Sequence, residues 1–385
     1  MQDAPRLLIP GPVPIDPRVM EELSAPAGPH YGEAWLKRYH EVEDMLQRLF
    51  QMKDAEVYPI AGPAHIGGEV LFFTLFRRGD RVAVVDNGFF GARIAEMLRS
   101  HHLDVHVIPA KWGEPPDLGE VERVARSGVK AVAVIHNETS TGMTNPMREI
   151  AKAATDHGAW VLVDAVSSWG GIPLPCTEWG IEACFAASQK CLGSAPGIAP
   201  VAVTKRLLDD VDPATVEGWY TSLFTWRKIH KEWGDWHPQP TTISTNVFYA
   251  FDKALKLFFE DGMESRYRRH EVIARAYREG LAGLGFTFFS KPEYRSNTVS
   301  SARPPKGLDA HDLIARLKRE HNIFIAGTLG PMRGQGIRIG HLGLQASREN
   351  VEAILTALAG YAKSVGSMHT EDAVDRAVQI AAKVG

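Results

Sequence analysis

Two side chains of opposite charge lie in apolar surroundings where a solvated charge is not expected. Asp164 ends the run WVLVD at residues 160–164, and Lys190 lies within AASQKCLGSAPG at residues 186–197. Burying a carboxylate is costly unless a cation meets it, and apolar surroundings lower the pKa of a lysine because desolvation disfavours the ammonium form. The pair therefore predicts either a direct structural ion pair or a site in which each side chain contacts a different end of one ligand. In the second case the neutral amine is a nucleophile that can form a Schiff base with an aldehyde.

The elements that must position these two residues alternate along the chain. Short runs rich in Val, Ala and Ile are separated by amphipathic stretches, which predicts a mostly parallel sheet with helices on both faces. Ligands bind at the carboxyl ends of the strands in such sheets, so the polar residues after each run are expected to form one site. The predicted strands are residues 81–86, 105–109, 129–136, 160–164, 182–188 and 198–203, and the predicted helices are 34–51, 91–102, 117–127 and 146–157.

The pattern changes near residue 246, where longer helices predominate and single strands such as GIRIGHL (336–342) lie between them. This indicates a second, smaller α+β domain. The predicted domains are a proline-rich N-terminal arm at 1–14, a large domain at 15–261 and a small C-terminal domain at 262–385. The helices predicted in this part are 246–261, 264–284, 310–321, 347–363 and 370–383.

Composition excludes several classes of protein. A net charge of −3 over 385 residues gives no reason to expect nucleic acid or an anionic membrane as a partner. The three cysteines show no CxxC spacing, so they indicate neither a disulfide framework nor a zinc site, and no metal is expected. There is no N-terminal signal pattern and no apolar run near the roughly 18 residues of a membrane span, so a cytoplasmic protein is expected.

Several motifs resemble one enzyme family along nearly the whole chain. VDAVSSWGG (163–171), SQKCLGSAPG (188–197) and RIGHLG (338–343) are similar to the class V pyridoxal-phosphate aminotransferases, above all to the alanine–glyoxylate and serine–pyruvate aminotransferase group. GDRVAVVDNGFFGAR (79–93) and HNETSTGMTNP (136–146) fit the same group. The resemblance implies the α/β fold of the fold-type-I transferases, with a mostly parallel sheet sandwiched by helices and a smaller C-terminal α+β domain. It also implies pyridoxal 5'-phosphate as the cofactor.

The resemblance assigns a role to each matching residue. Lys190 would form the Schiff base and later move the substrate proton, and Asp164 would pair with the pyridinium nitrogen. Phe90 would stack on one ring face, and Val166 would pack on the other. Ring or phosphate oxygens would be contacted by Thr139 and Gln189.

Substrate binding and assembly are implied in the same way. Arg338, between two isoleucines, would bind the substrate carboxylate. HPQPTTISTN (237–246) matches the segment that reaches the neighbouring subunit's phosphate, with Thr242 at the matching position. The chain is thus expected to form a homodimer, with a dimer of dimers as a further possibility, and an active site at the subunit interface. WRKIHKEWGDWH (226–237) is open to three interpretations: a substrate-gating loop, a subunit-interface strip or an ordinary surface loop.

The phosphate-binding segment departs from the family pattern. The expected run of Ser, Thr and Gly is replaced by AGPAHIGGE (61–69), in which Pro63 has no N–H. Gly62, Ala64 and His65 remain as phosphate contacts. A weak phosphate end suggests a second function, that of a pyridoxamine–pyruvate aminotransferase acting on unphosphorylated pyridoxamine, and Tyr31 lies in a context similar to that enzyme's substrate contact.

That enzyme group carries a second arginine shortly before the arginine that binds the substrate carboxylate, and Arg333 does not clearly fall in register with it. The leading prediction is therefore a ping-pong aminotransferase. It would transfer an amino group from a small amino acid, alanine-like or serine-like, to an oxo acid, glyoxylate or pyruvate. A dinucleotide-dependent oxidoreductase lacks support because no GxGxxG follows the first strand. A catalytically silent binding protein would not need both Asp164 and Lys190.

Overall fold

The computed structural model describes residues 5–366 and 372–384, which contain fifteen strands and fourteen α-helices. The strands are β1 (Arg6–Leu7), β2 (Ala55–Ala61), β3 (Arg81–Asp86), β4 (Asp104–Pro109), β5 (Ala131–Ile135), β6 (Asn137–Glu138), β7 (Met143–Thr144), β8 (Trp160–Asp164), β9 (Ala183–Phe185), β10 (Ile198–Thr204), β11 (Thr287–Phe288), β12 (Val299–Arg303), β13 (Ile323–Phe324), β14 (Ala326–Gly327) and β15 (Ile337–Gly340). The helices are α1 (Pro17–Ser24), α2 (Glu33–Phe50), α3 (Ala64–Leu75), α4 (Phe89–Ser100), α5 (Leu118–Arg126), α6 (Met147–Thr155), α7 (Cys176–Trp179), α8 (Lys205–Asp209), α9 (Leu223–Trp233), α10 (Thr245–Asp261), α11 (Met263–Gly283), α12 (Ala310–His321), α13 (Arg348–Ser364) and α14 (Ala373–Ala381).

The predicted mostly parallel sheet is confirmed. Seven strands lie in the order β2-β10-β9-β8-β5-β3-β4, and neighbours from β9 to β4 are parallel, whereas β10 is antiparallel to both β2 and β9. Residues of β3 alternate between the two sides: Val82 and Val84 pack in one hydrophobic core, and Ala83 and Val85 in the other. Both faces of the sheet are therefore covered, which explains why the strand sequences are apolar throughout.

A second, antiparallel sheet of four strands follows later in the chain, in the order β11-β12-β15-β14. Its strands contribute Ile337 and Ile339 to a third hydrophobic core, together with residues of α11, α12, α13 and α14. Gly262 separates α10 from α11 with a φ of +81°, a conformation that glycine adopts readily. The division into domains near residue 262 stays a prediction.

The described part of the N-terminal arm connects the two sheets. β1 pairs in parallel with β13, and the N–H of Gly340 in β15 donates to Leu8 O at 2.7 Å. Farther along, Val13 N–H donates to Gln189 O at 3.3 Å, beside Lys190. Residues 1–4 of the predicted arm and residues 370–371 of the last predicted helix lie outside the described residues.

The interpretation of residues 226–237 as a loop is wrong as far as Trp233, because α9 covers Leu223–Trp233. Leu223 and Trp226, three residues apart, are buried in the core that lies on one face of the large sheet, and this spacing places both on one side of a helix. All three cysteines are buried thiols. Among the described residues, no helix is both long and apolar enough to cross a membrane.

Candidate active site

One cavity of about 200 Å³ opens at the carboxyl ends of the parallel strands. Asp164 ends β8, and its strand partners Ile135 and Phe185 end β5 and β9. Eight predicted site residues line this cavity: Ala64, His65, Phe90, Thr139, Asp164, Val166, Gln189 and Lys190. The remaining lining residues are Pro63, Ile135, Asn137, Ser167 and Phe185.

Asp164 lies deep in this cavity with one carboxylate oxygen free. Its Oδ1 accepts a hydrogen bond from Val166 N–H at 2.8 Å, and Oδ2 has no hydrogen-bond partner among the described residues. Burial raises the pKa of Asp164 to about 7, while the Val166 N–H acts in the opposite direction. The site therefore lacks a donor or cation opposite Oδ2, which a protonated ring nitrogen of a ligand would supply.

Lys190 does not form the direct ion pair with Asp164 that the sequence left open. In the described residues no Lys190–Asp164 contact lies within 4.0 Å, and Lys190 Nζ instead donates to the carbonyl of Pro10 at 2.5 Å. Burial lowers the pKa of Lys190 to about 8, and the charge of Arg338 acts in the same direction. At neutral pH about a tenth of such an amine is unprotonated, so it can act as a nucleophile or a base.

The loop that carries Lys190 joins β9 to β10, which are paired with each other. Ala186 N–H donates to Pro200 O at 2.9 Å, and Ser188 N–H donates to Ile198 O at 3.1 Å. The Ser188 hydroxyl also donates to Ala195 O at 2.6 Å, which closes the loop from inside. Both ends of this lysine loop are therefore fixed to adjacent antiparallel strands.

Phe90 is positioned by a buried carboxylate that the sequence reasoning did not include among the site residues. Glu138 Oε2 accepts from the N–H groups of Phe90 and Gly91 at 2.9 and 3.1 Å. Its Oε1 accepts from the N–H and hydroxyl of Ser140 at 3.0 and 2.6 Å. Glu138 thus caps the first turn of α4 from a distant point in the chain and holds Phe90 at the cavity. Burial raises the pKa of Glu138, and these four hydrogen bonds act against that rise.

Arg338 lies in the middle of β15 and is buried, although it is not among the residues that line the cavity. Its Nε donates to Gly327 O at 2.8 Å, and its two Nη groups have no hydrogen-bond partner among the described residues. Burial lowers the pKa of Arg338 to about 10, and the Glu138 carboxylate acts in the opposite direction. Arg338 is close enough for its charge to lower the pKa of Lys190. The free end of its guanidinium can donate two parallel hydrogen bonds to a carboxylate.

The start of α3 offers few donors for an anion. Pro63 precedes the helix with no side-chain cap, and the N–H of Gly62 is already donated to Gly197 O at 2.8 Å. The N–H groups of Ala64 and His65 belong to the first turn and have no acceptor within the helix. Burial and the nearby Arg93 lower the pKa of His65, which disfavours a charged ring. Ala64 and His65 line the cavity, whereas Gly62 does not.

Neither Tyr31 nor Thr242 is among the residues that line the cavity of their own chain. Tyr31 is 47% exposed and its ring centroid is 5.5 Å from that of Trp236. Thr242 Oγ1 lies 3.4 Å from Nε2 of His30, the residue next to Tyr31. A role of either residue in a cofactor or substrate site stays a prediction, because Thr242 is expected to act on a neighbouring subunit.

Two further cavity residues, Asn137 and Ser167, follow the strands β5 and β8 and are not among the predicted site residues. Asn137 Nδ2 donates to Ser167 Oγ at 2.8 Å, and Ser167 Oγ donates back to the Asn137 carbonyl at 2.7 Å. These bonds tie the segment after β5 to the segment after β8. Only the position of these residues after two adjacent strands could have indicated this contact.

Comparisons with known proteins agree with this geometry. The family model for class-V aminotransferases matches residues 22–354. Alanine–glyoxylate aminotransferase of Mus musculus is 30% identical over 356 residues, covering 91% of this chain and 86% of that protein. The crystal structure of ureidoglycine–glyoxylate aminotransferase from Bacillus subtilis has a TM-score of 0.90 at 28% identity and covers 100% of this chain and 98% of that one. Pyridoxamine–pyruvate aminotransferase from Mesorhizobium loti shares the fold, with a TM-score of 0.88 at 24% identity over 100% of this chain and 98% of that one.

The described residues fit pyridoxal phosphate, the cofactor of this family. The open Oδ2 of Asp164 suits a protonated pyridine nitrogen, and the amine of Lys190 suits an aldehyde carbon. The unpaired N–H groups at the start of α3 suit a phosphate, although this end is poor in donors. The agreement of family model, relatives and donor set shows that the chain belongs to the class-V aminotransferases, enzymes that depend on pyridoxal phosphate.

Proposed function

We propose that the protein transfers an amino group from a small neutral amino acid, such as alanine or serine, to glyoxylate or pyruvate in two half-reactions at one site. The observation that carries this proposal is the buried amine of Lys190 and the open carboxylate oxygen of Asp164 in the cavity, with the free end of the Arg338 guanidinium near enough for its charge to lower the pKa of Lys190. Relatives named for glyoxylate support it as the acceptor.

Proton movement falls to Lys190 in this proposal. Bound pyridoxal phosphate supplies the electron sink that makes loss of a proton from the substrate α-carbon possible. Lys190 Nζ accepts this proton from the substrate α-carbon and then donates it on the cofactor side of the reacting group. An amine with a pKa of about 8 can both accept and donate a proton near neutral pH. Asp164 would pair with the ring nitrogen as the anion and keep that nitrogen protonated. Phe90 and Val166, which both line the cavity, would hold the ring.

Arg338 binds the carboxylate of each substrate. Since its Nε is held by Gly327 O, the Nη1–Nη2 end is the part that can form two parallel hydrogen bonds with a carboxylate. The amino donor and the oxo-acid acceptor both carry a carboxylate next to the reacting carbon. One guanidinium therefore serves both half-reactions, which suits a ping-pong sequence.

The test is a screen of separate half-reactions on the holoenzyme. Purified protein loaded with pyridoxal phosphate is mixed with alanine, serine, glycine or aspartate, and the cofactor absorbance is followed. We expect bleaching with small neutral amino acids, recovery of the original spectrum with glyoxylate or pyruvate, and borohydride trapping at Lys190. Bleaching by aspartate alone would refute the substrate class, and normal turnover by Lys190→Ala would refute the role of the lysine.

We further propose that the protein is a homodimer whose sites lie between subunits. This proposal depends on residues 237–246, which match the family segment that reaches the neighbouring subunit's phosphate, with Thr242 at the matching position. The prediction is tested by mixing Lys190→Ala chains with Thr242→Ala chains. If Thr242 acts on the neighbouring site, a mixed dimer has one site with both residues intact, and activity rises above that of either variant alone. A mixture no more active than its parts, or a monomeric mass in solution, would contradict this assembly.

The start of α3 favours a second candidate, the use of an unphosphorylated B6 vitamer as substrate. Pro63, Ala64 and His65 offer no hydroxyl and no permanent charge to a phosphate dianion. Titrating the apoprotein with pyridoxal phosphate and with pyridoxal separates the two functions. Tighter binding of the phosphorylated form supports a resident cofactor, whereas equal binding and turnover of pyridoxamine with pyruvate support the second candidate.

A further inference from the structure

Three metal-ligand side chains meet on the surface between α2 and α9, outside the cavity. Glu43 Oε2 lies 2.8 Å from His40 Nδ1, and Glu43 Oε1 lies 3.5 Å from His230 Nδ1. One ligand atom from each of the three residues lies within 4.8 Å of the others. The side chains of His40, Glu43 and His230 are 48%, 19% and 38% exposed, so the group is set into the surface but open to solvent.

The charge balance around Glu43 leaves room for a cation. Both carboxylate oxygens face imidazole nitrogens, which carry a positive charge only when protonated. Burial raises the pKa of Glu43, while His230 and His40 act in the opposite direction. The nearby guanidinium of Arg227 is already engaged by Glu56 at 2.7 Å and by Asp209 at 2.9 Å. In the described parts of the chain, no lysine or arginine nitrogen lies within 4.0 Å of the Glu43 carboxylate, so a cation that enters from solvent would stabilise it.

The three side chains are close enough together to reach the geometry of a zinc site. Bond lengths of 2.0–2.2 Å from Zn²⁺ to nitrogen and oxygen place neighbouring ligand atoms of a tetrahedral site roughly 3.3 Å apart. The observed separations are 2.8 Å from His40 Nδ1 to Glu43 Oε2 and 3.5 Å from His230 Nδ1 to the other oxygen, Oε1. Since the three ligand atoms all lie within 4.8 Å of one another, small side-chain rotations bring them to that spacing. Two histidines and one glutamate form a donor set that leaves a fourth position open to water.

We propose that His40, Glu43 and His230 form a binding site for a divalent transition-metal ion with the ligand preference of Zn²⁺. The ion binds Nδ1 of both histidines and the Glu43 carboxylate, and water completes the coordination. The site links α2, whose apolar side packs in one core of the large sheet, to α9, which packs in the other. The segment before α9 also carries Tyr220, whose hydroxyl donates to Ala61 O at 3.0 Å, just before the start of α3. Because its ligands come from both helices, a bound ion would hold α9 against α2 and stabilise the contact between them.

The experiment is a calorimetric titration of the tag-free holoenzyme with ZnCl₂, without substrate, repeated with His40→Gln and His230→Gln. We expect one ion per chain in the wild type and at least about tenfold weaker binding in each variant, since even loss of a residue that only supports a ligand costs 10- to 100-fold. His311→Gln, which changes an exposed histidine on α12, is the matched control and should bind like the wild type. At the same zinc concentration, the melting temperature should rise less in the two variants than in the wild type and the control, because weaker binding stabilises the folded state less.

Co²⁺ provides an independent spectroscopic measurement. Substituted Co²⁺ should give a visible ligand-field spectrum in the wild type that is lost in His230→Gln. Absence of zinc binding in the wild type, or equal affinity in the wild type and both variants, would overturn the proposal. In that case the three side chains form only a hydrogen-bonded group that shares protons.

Discussion

Gly11 provides the sharpest test of the position of Lys190. A Cβ atom built on Gly11 would lie 2.6 Å from Cδ and 2.8 Å from Cε of Lys190, and φ at this residue is +93°. Carbon atoms in favourable contact are about 3.5–4.0 Å apart, so in Gly11→Ala the lysine side chain must move by about 1 Å. Displacing a catalytic group by that distance costs about 100-fold in rate. The backbone conformation adds about 1–2 kcal/mol of strain for a residue with a Cβ.

Gly79→Ala separates these two effects. Gly79 has a similar φ of +82°, and apart from its immediate neighbours no atom lies within 4 Å of the point that a Cβ on this residue would occupy. Both variants should lose a similar amount of stability in a urea titration, because both carry the backbone strain. Only Gly11→Ala should lose about 100-fold in kcat and show slower borohydride trapping at Lys190. Equal kcat in the two variants would refute the contact between the arm and the lysine.

Three further predictions concern buried charges of the site. Burial raises the pKa of Asp164 to about 7 from 3.8, so the folded apoprotein holds a proton that the unfolded chain releases, and its free energy of unfolding should fall as pH rises between these values. Asp164→Asn should remove that part of the pH dependence in urea titrations between these two pKa values, and an unchanged slope would contradict the assignment. Glu138→Gln replaces one acceptor oxygen by an NH2 group, which must face either the N–H groups of Phe90 and Gly91 or the N–H of Ser140. Since each unsatisfied buried group costs about 1–3 kcal/mol, the free energy of unfolding should fall by at least about 1–3 kcal/mol; an unaltered urea midpoint would show that the cap is dispensable. Arg338→Lys loses the paired hydrogen bonds and should lower kcat/KM by about 10- to 100-fold for donor and acceptor alike, whereas loss in one half-reaction alone would mean that the other substrate binds elsewhere.

The sequence correctly predicted that Asp164 and Lys190 lie in one site at the carboxyl ends of the parallel strands, because this prediction depends on local features. An apolar run that ends on Asp164 and another that precedes Lys190 are each visible within a few residues, and parallel strands bring their carboxyl ends to one edge. The structure then decided what spacing could not, namely that the lysine contacts the Pro10 carbonyl and not the aspartate. Helix α9 was not predicted because only two of its side chains, Leu223 and Trp226, are buried. The exposed tryptophans and basic residues that follow show no clear helical pattern of apolar positions.

Contacts between distant parts of the chain were beyond reach of the sequence. Glu138 caps a helix whose first residues lie 48 positions earlier, and Pro10 meets Lys190 across 180 positions. No periodicity or turn signal encodes such pairings, because they depend on how completed elements pack. The effect of Arg338 on the pKa of Lys190 is likewise an interaction between distant segments, because Arg338 lies on the four-stranded sheet and Lys190 on a loop of the large sheet.

The attachment of the lysine loop determines which part of the enzyme is able to move. Its two ends are hydrogen-bonded to strands that pair with each other, so it cannot slide without breaking their register. A movement that brings the Arg338 guanidinium closer to the Lys190 amine must therefore come from the four-stranded sheet, which carries Arg338 on β15. Under the proposed roles of Lys190 and Arg338, the lysine loop is thus the rigid side of the pocket, and the strand that carries Arg338 is the side that adjusts to the substrate.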